Sequence, residues 1–364
     1  VSLTCYEYQL PFNKPLVTSS RVYQNRSGWI LCWQEADRLY FGEAAPLPGF
    51  SPEDMQDVQH LIRQHIDRWT QLLKEPDPTL MLAQHYKEEN LPATLQFALD
   101  SLAYQFKAKR NGTTFSKLLF KDSTPPFIAV NGLISLLDDE ETLVNIQSLI
   151  KEGFQTIKCK VGQHFQEELE KLTQIRKAFP RLNIRLDANG AWKLPKAIDY
   201  LDALAQLNIQ YCEEPLTNPT VKNIRSLSQK MNIPLALDEI LNTTEQWPSL
   251  LSYTSVLVIK PMLIGSFNKL LDIKRKADNQ NCALVLTSSL ESSIGRGIVA
   301  LLASGLGTEN YAHGLNTGKM LGHDTVPNRP LIQHGQIDFG KQMLPLEADK
   351  NHLKNISISS ITSS

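Results

Sequence analysis

The 364-residue sequence has no apolar run approaching the roughly 20 residues that a membrane-spanning helix requires. Its longest such stretch, GIVALLASGLG (Gly297 to Gly307), is far shorter. An excess of either charge is also missing: 37 Lys and Arg stand against 38 Asp and Glu, a net charge of −1. That balance removes the electrostatic ground for holding nucleic acid or an anionic membrane, and neither is expected as a partner. The five cysteines, Cys5, Cys32, Cys159, Cys212 and Cys282, show no C-x-x-C spacing. A zinc site or disulfide framework is therefore not expected, and the cysteines read as small buried hydrophobes in a reducing, cytoplasmic compartment. The first ten residues, VSLTCYEYQL, lack the basic and apolar regions of a secretory signal.

What is present falls into two rhythms. Residues 1–125 begin with strand-like pieces, LTCYEYQL, GWILCWQE and RLYFGEA. A helical pattern follows from Ser51, with Ser51 as N-cap and Pro52 at the first helical position. A second helix is expected from Pro92. Strands followed by helices read as an α+β domain. From Pro126 short apolar runs alternate with helical patterns. They end near Asn131, Lys160, Asp187, Glu213, Asp238, Lys260, Thr287 and Ala312, at spacings of 22 to 29 residues. Eight near-equal βα units predict a closed barrel over 126–312; an open doubly wound sheet shares the rhythm and is the alternative. Residues 313–364 lack the period and are expected to pack back on the first domain. The polar NISISSITSS at the end reads as a fraying tail.

The chemistry lies at the strand ends. Lys158 and Lys160 in TIKCK point to one face, because a strand has a side-chain period of two. Two ammonium groups on a buried face demand compensation. Asp187, Glu213 and Asp238 end three consecutive runs, and Lys260 ends the next. In a barrel these C-terminal ends surround one mouth. Clustered carboxylates repel one another, and a hard divalent cation with oxygen ligands, Mg²⁺ or Mn²⁺ in its place, is the simplest compensation. One strand-end Asp is ordinarily an N-cap or turn residue; three acids and two lysines on five consecutive strands are not.

IKCKVG, RLDANGAW, CEEP, LDE and IKP, in this order, resemble the successive signatures of the enolase superfamily, muconate-lactonizing-enzyme subgroup. The resemblance implies a modified (β/α)7β TIM barrel beneath an α+β capping domain. It places the family's lysine acid/base motif on Lys158 and Lys160, with Lys160 as the acid/base group. The metal ligands fall on Asp187, Glu213 and Asp238, and the opposing lysine on Lys260. Glu213 is preferred to Glu214 because the family keeps an acid at the first position and varies the second. Lys158, Asn189, Ser288 and Ser289 are the substrate contacts the resemblance implies, and the substrate is a small-molecule carboxylate. GEAAPLPGFS, VIKPMLIGS and SSLESSIG narrow the resemblance to the branch that removes water from a succinyl-hydroxycyclohexadiene carboxylate in menaquinone biosynthesis.

Racemases, epimerases and cycloisomerases share these motifs, so they stay open as rivals. The Asp-x-Asp of dipeptide epimerases is missing from YAHGLNTGKML, and VLTSSLESS offers no histidine for a sugar-acid dehydratase. GLNTGK is one residue short of a phosphate loop. His313 reads as structural. A non-catalytic scaffold conflicts with complete metal and lysine sets. Loops at Pro15 to Ser27 and Pro48 to Ser51 are expected to close the mouth.

Overall fold

The computed structural model describes residues 2–17, 22–120, 124–136, 141–162, 164–243, 246–326, 332–340, 348 and 350–364. Strands Ser2–Val17, Val22–Glu35 and Arg38–Ala44 form an antiparallel sheet. Trp29, Leu31 and Trp33 alternate onto one face, where they meet Ile62, Ile66 and Trp69 of helix Met55–Lys74 and Leu95 and Leu99 of helix Ala93–Arg110. Ile30 and Cys32 alternate onto the other, with Tyr8, Leu10 and Leu353. Burial on both faces explains why WILCW is continuously apolar. Gly42 permits the close seat of helix Ala93–Arg110, since a Cβ there would lie 2.1 Å from the Ala98 carbonyl oxygen.

Three local expectations change. Helix Met55–Lys74 is capped by Asp54, in a reciprocal capping box with Asp57. Ser51 instead accepts the Leu47 N–H at 2.9 Å, which closes the preceding turn. A helix Pro78–Glu88, capped by Asp77, stands between the two that were expected. The tail is not frayed: Ser357–Thr362 pairs antiparallel with Ser2–Val17 as the fourth strand of the capping sheet. Burial alternates along this strand with period two: Ile361 packs against the core, while Ile358, three residues before it, is exposed.

The second unit is a ring. Strands Gly132–Ile134, Thr156–Lys160, Asn183–Asp187, Ile209–Glu213, Leu235–Leu237, Val256–Ile259 and Ala283–Leu286 form one parallel sheet in chain order. Its edges are joined through His313 and Gly314, which bridge to Val130 and Thr287. His313 N–H donates to Ala129 at 2.8 Å and Gly314 N–H to Leu286 at 2.9 Å. The eighth stave is thus a pair of parallel bridges, and the ring closure excludes the open sheet. The first run is displaced: Phe127–Ala129 pairs antiparallel with Gln336–Asp338, and the barrel stave begins beyond it. Helix Ser293–Leu306, which carries most of the longest apolar stretch, is buried nearly all round between the barrel and the capping sheet. Among the described residues no helix is long and apolar enough to cross a membrane. All five cysteines are free and buried.

Candidate active site

The pairing register builds the site. Lys158 stands opposite Arg185, and Lys160 opposite Asp187, which stands opposite Glu213. Side chains alternate along each strand, so these residues face the barrel interior in two layers. Lys158 reaches from the lower layer to the upper one. Its Nζ lies 2.8 Å from Asp187 Oδ2 and 2.7 Å from Glu213 Oε1. Lys260 Nζ pairs with Asp238 Oδ2 and lies 3.8 Å from Glu239 Oε1. Asp187, Glu213, Asp238, Lys158 and Lys260 are therefore brought together. Lys160 ends its strand as an exposed residue at the mouth.

The electrostatics follow from burial and proximity. Burial alone would push Lys158 down, but Asp187, Glu213 and Asp238 outweigh it and hold its ammonium well above the ordinary range. For Lys260 burial is likewise outweighed, by Asp238 and Glu239. Burial opposes ionisation of Asp187, yet the Lys158 charge and hydrogen bond hold it below the usual value. Glu213 is pushed well up, first by burial and then by its acidic neighbours, against the pull of Lys158.

A divalent cation fits this donor set. Glu213 Oε2 and Asp238 Oδ1 are buried and have no hydrogen-bond partner among the described residues. An unmet carboxylate oxygen in a low-dielectric interior is costly, and a cation would satisfy both. The ammonium groups of Lys158 and Lys260 are seated among the three carboxylates. Among the described residues, no three His, Cys, Asp or Glu side chains stand as a ready coordination sphere.

The other expected contacts divide. Asn189 is exposed on the turn after Asp187, in a left-handed conformation at φ 42°, with its N–H on Asp187 Oδ1 at 3.1 Å. Ser288 is buried and saturated: its hydroxyl donates to Glu291 at 2.6 Å and accepts from Thr317 at 2.8 Å. Ser289 is buried, and its hydroxyl has no partner among the described residues. The capping domain holds this loop through Arg26, which donates to the Leu290 carbonyl at 3.1 Å. Of the loops expected to close the mouth, residues 18–21 lie outside the described residues. The turn at Pro48 is held by the Tyr23 hydroxyl at 2.5 Å. His313 is buried, and its Nδ1 accepts the Leu286 N–H at 3.1 Å.

Sequence reasoning missed several residues. A cavity of about 50 Å³ beside Lys158 and Glu213 is lined by Asn131, Leu133, Tyr211 and Asn316. Leu133 faces this space and is 47% exposed, unusual for a barrel stave. Arg185 is fully buried and lies over the Tyr211 ring, 4.8 Å from its centroid. Arg185 and Tyr211 could have been found two positions before Asp187 and Glu213, by the strand period. Glu214 sits at φ 42° and its carboxylate accepts the N–H groups of Asp238 and Ile240. Burial pushes it up to about 7, against the hydrogen bond from Asp238.

The chain was compared with known proteins. Residues 141–342 match the family described as "Enolase C-terminal domain-like", and residues 1–81 match "MenC, N-terminal domain". The chain is 26% identical to the o-succinylbenzoate synthase of Pectobacterium atrosepticum over 347 residues, covering 92% of this chain and 98% of that one. It is 27% identical to the o-succinylbenzoate synthase of Haemophilus influenzae, covering 94% and 98%. Among solved structures, N-succinyl Arg/Lys racemase from Bacillus cereus superposes with a TM-score of 0.85 at 19% identity, covering 100% of this chain and 99% of that one. That likeness concerns the fold alone.

Proposed function

The chain belongs to the enolase superfamily, in the Enolase C-terminal domain-like family, and from that premise we propose that it is an o-succinylbenzoate synthase. In this reading it is a carbon–oxygen lyase that removes water from 2-succinyl-6-hydroxy-2,4-cyclohexadiene-1-carboxylate to give o-succinylbenzoate, in menaquinone biosynthesis. Two relatives named o-succinylbenzoate synthase match over nearly their whole length, which supports this reading. The observation that carries the chemistry is one ring of groups: three carboxylates on staves three to five, with lysines on staves two and six. Staves two and six of an eight-membered ring stand on opposite walls.

Asp187, Glu213 and Asp238 would hold the metal, Mg²⁺ or Mn²⁺ in its place. When bound there, a divalent cation supplies positive charge that makes a proton α to a carboxylate more acidic. Lys160, free at the mouth, removes that proton and returns it to the leaving hydroxyl on the same face, a syn elimination. Lys260, on the opposite wall, stabilises the negative charge that develops on the substrate. Lys158 pairs with both Asp187 and Glu213 and orients them from below. Leu133 and Tyr211 offer the apolar wall a cyclic carboxylate needs. The buried thiols fit a cytoplasmic protein.

The test is a steady-state assay against the cyclohexadiene carboxylate beside a panel of N-succinyl amino acids. Turnover of the former is expected; racemisation of the latter without dehydration would replace this reading by the racemase one. Lys260→Ala sharpens it. With an N-succinyl amino acid in D₂O, this variant should exchange the α-proton of one enantiomer through Lys160 and not the other. Equal exchange of both would remove Lys260 from the opposite face.

A further inference from the structure

We propose that Glu214 is a positioning residue that sets how Asp238 presents its carboxylate to the metal site; this rests on reading Asp187, Glu213 and Asp238 as metal ligands. Glu214 follows Glu213 but serves a different neighbour. Its Oε1 accepts the Asp238 N–H at 2.8 Å and the Ile240 N–H at 3.3 Å. Its own N–H donates to Ala236 at 3.1 Å, and its carbonyl accepts from Gly190 at 2.6 Å. One residue therefore ties together the ends of the three staves that carry Asp187, Glu213 and Asp238.

The backbone explains how two consecutive acids do separate work. A non-glycine residue at φ 42° is disfavoured, and persists only where its surroundings over-determine it. Here four hydrogen bonds do so. The left-handed step leaves Glu213 with the ion pairs of the barrel interior and turns Glu214 to the N–H groups of the adjacent stave. With its N–H held, Asp238 has a defined backbone orientation. Its Oδ2 goes to Lys260, and its Oδ1 is buried with no partner among the described residues.

The role needs an acceptor atom at Oε1 and not a charge. Glutamine supplies one at the same place; methionine matches the length and supplies no comparable acceptor. The experiment measures Mn²⁺ affinity of the full chain, by titration calorimetry and by the electron-spin resonance of free Mn²⁺, with thermal melts alongside. Glu214→Met should bind Mn²⁺ about 10- to 100-fold more weakly, the usual cost of losing a group that orients a ligand. Glu214→Gln should keep near-parental affinity. A folded Met variant with parental affinity overturns the proposal. If the Met variant does not fold, the Gln variant decides: folded but weakened by about tenfold or more, it would show that charge matters and position does not. A parent chain that binds no Mn²⁺ overturns the metal reading itself, an outcome distinct from variants that match a binding parent.

Discussion

At the seam between the capping sheet and the barrel, Glu43 is fully buried, and both its oxygens are engaged. The Tyr8 hydroxyl and the Ser292 N–H donate to Oε1; the Ser292 hydroxyl and the Gly295 N–H donate to Oε2. At the barrel mouth Glu213 is equally buried, yet one of its oxygens has no partner among the described residues. Asp324 repeats the seam pattern, with Ser293 and Arg296 at 2.7 to 3.1 Å. Asp238 repeats the mouth pattern. A carboxylate saturated by fixed donors clamps elements together. One left open and balanced by lysine ammonium groups is poised for a cation. Burial is the same in both places; saturation differs between these two pairs, although Glu291, buried near Glu43, also keeps one oxygen without a partner among the described residues.

The largest effect that would test this contrast is metal removal. EDTA should abolish turnover and Mg²⁺ or Mn²⁺ should restore it, while melts show an intact fold. Full turnover by a demonstrably metal-free preparation would erase the distinction. Asp187→Asn should lower metal affinity without unfolding the barrel, since mouth residues serve function more than stability.

Next in size, Lys160→Ala should lower kcat for dehydration by at least ~10²-fold, the low end for general acid–base catalysis. Its melting temperature should match the parent's. A kcat within a few-fold of the parent would take Lys160 out of the proton path.

The seam should answer in the other currency, stability. Glu43→Leu orphans buried donors on both elements and should cost about 3 kcal/mol, by the penalty for unmade buried hydrogen bonds. Chemical denaturation reads this directly. Any folded fraction should keep a near-parental kcat; lost turnover at unchanged stability would put Glu43 in the site.

The last effect appears only as pH falls, and concerns the stave that closes the ring. Burial, and then the Arg185 charge, push His313 down from 6.5 to about 3. A group depressed in the fold adds stability that is fully present above its unfolded pKa and is lost as pH falls through the folded one. Between about pH 6.5 and 3, the parent should lose up to about 1.4 kcal/mol per pH unit more than His313→Gln. Parallel stability curves for the two proteins would show that His313 does not stay neutral in the fold.

Much of the site was legible because strand ends are local. TIKCK, NIRLD and IQYCE each announce a strand by composition, and their last residues meet at the mouth once the βα period implies a ring. Asp238 and Lys260 lie one residue past their strands, a slip that leaves them at the mouth. Asp54 could have been preferred to Ser51, since Asp57 three residues on completes a capping box. Glu214 was harder. Its role depends on a left-handed backbone step that no side-chain pattern announces for a non-glycine residue.

By itself, the sequence determined the two-part architecture and the ring of acids and lysines, because periodicity and propensity act over a few neighbouring residues. The tail is an instructive middle case: its strand is short and polar, and it is held by a partner strand at the other end of the chain. Only the tertiary structure decided which buried oxygens are satisfied and which stay open. Hydrogen-bond partners arrive from anywhere in the fold: Glu43 accepts from Ser292, 249 residues away, and Glu214 accepts from Asp238, 24 residues on. Such saturation is a property of three-dimensional neighbours, and one-dimensional patterns carry no record of it.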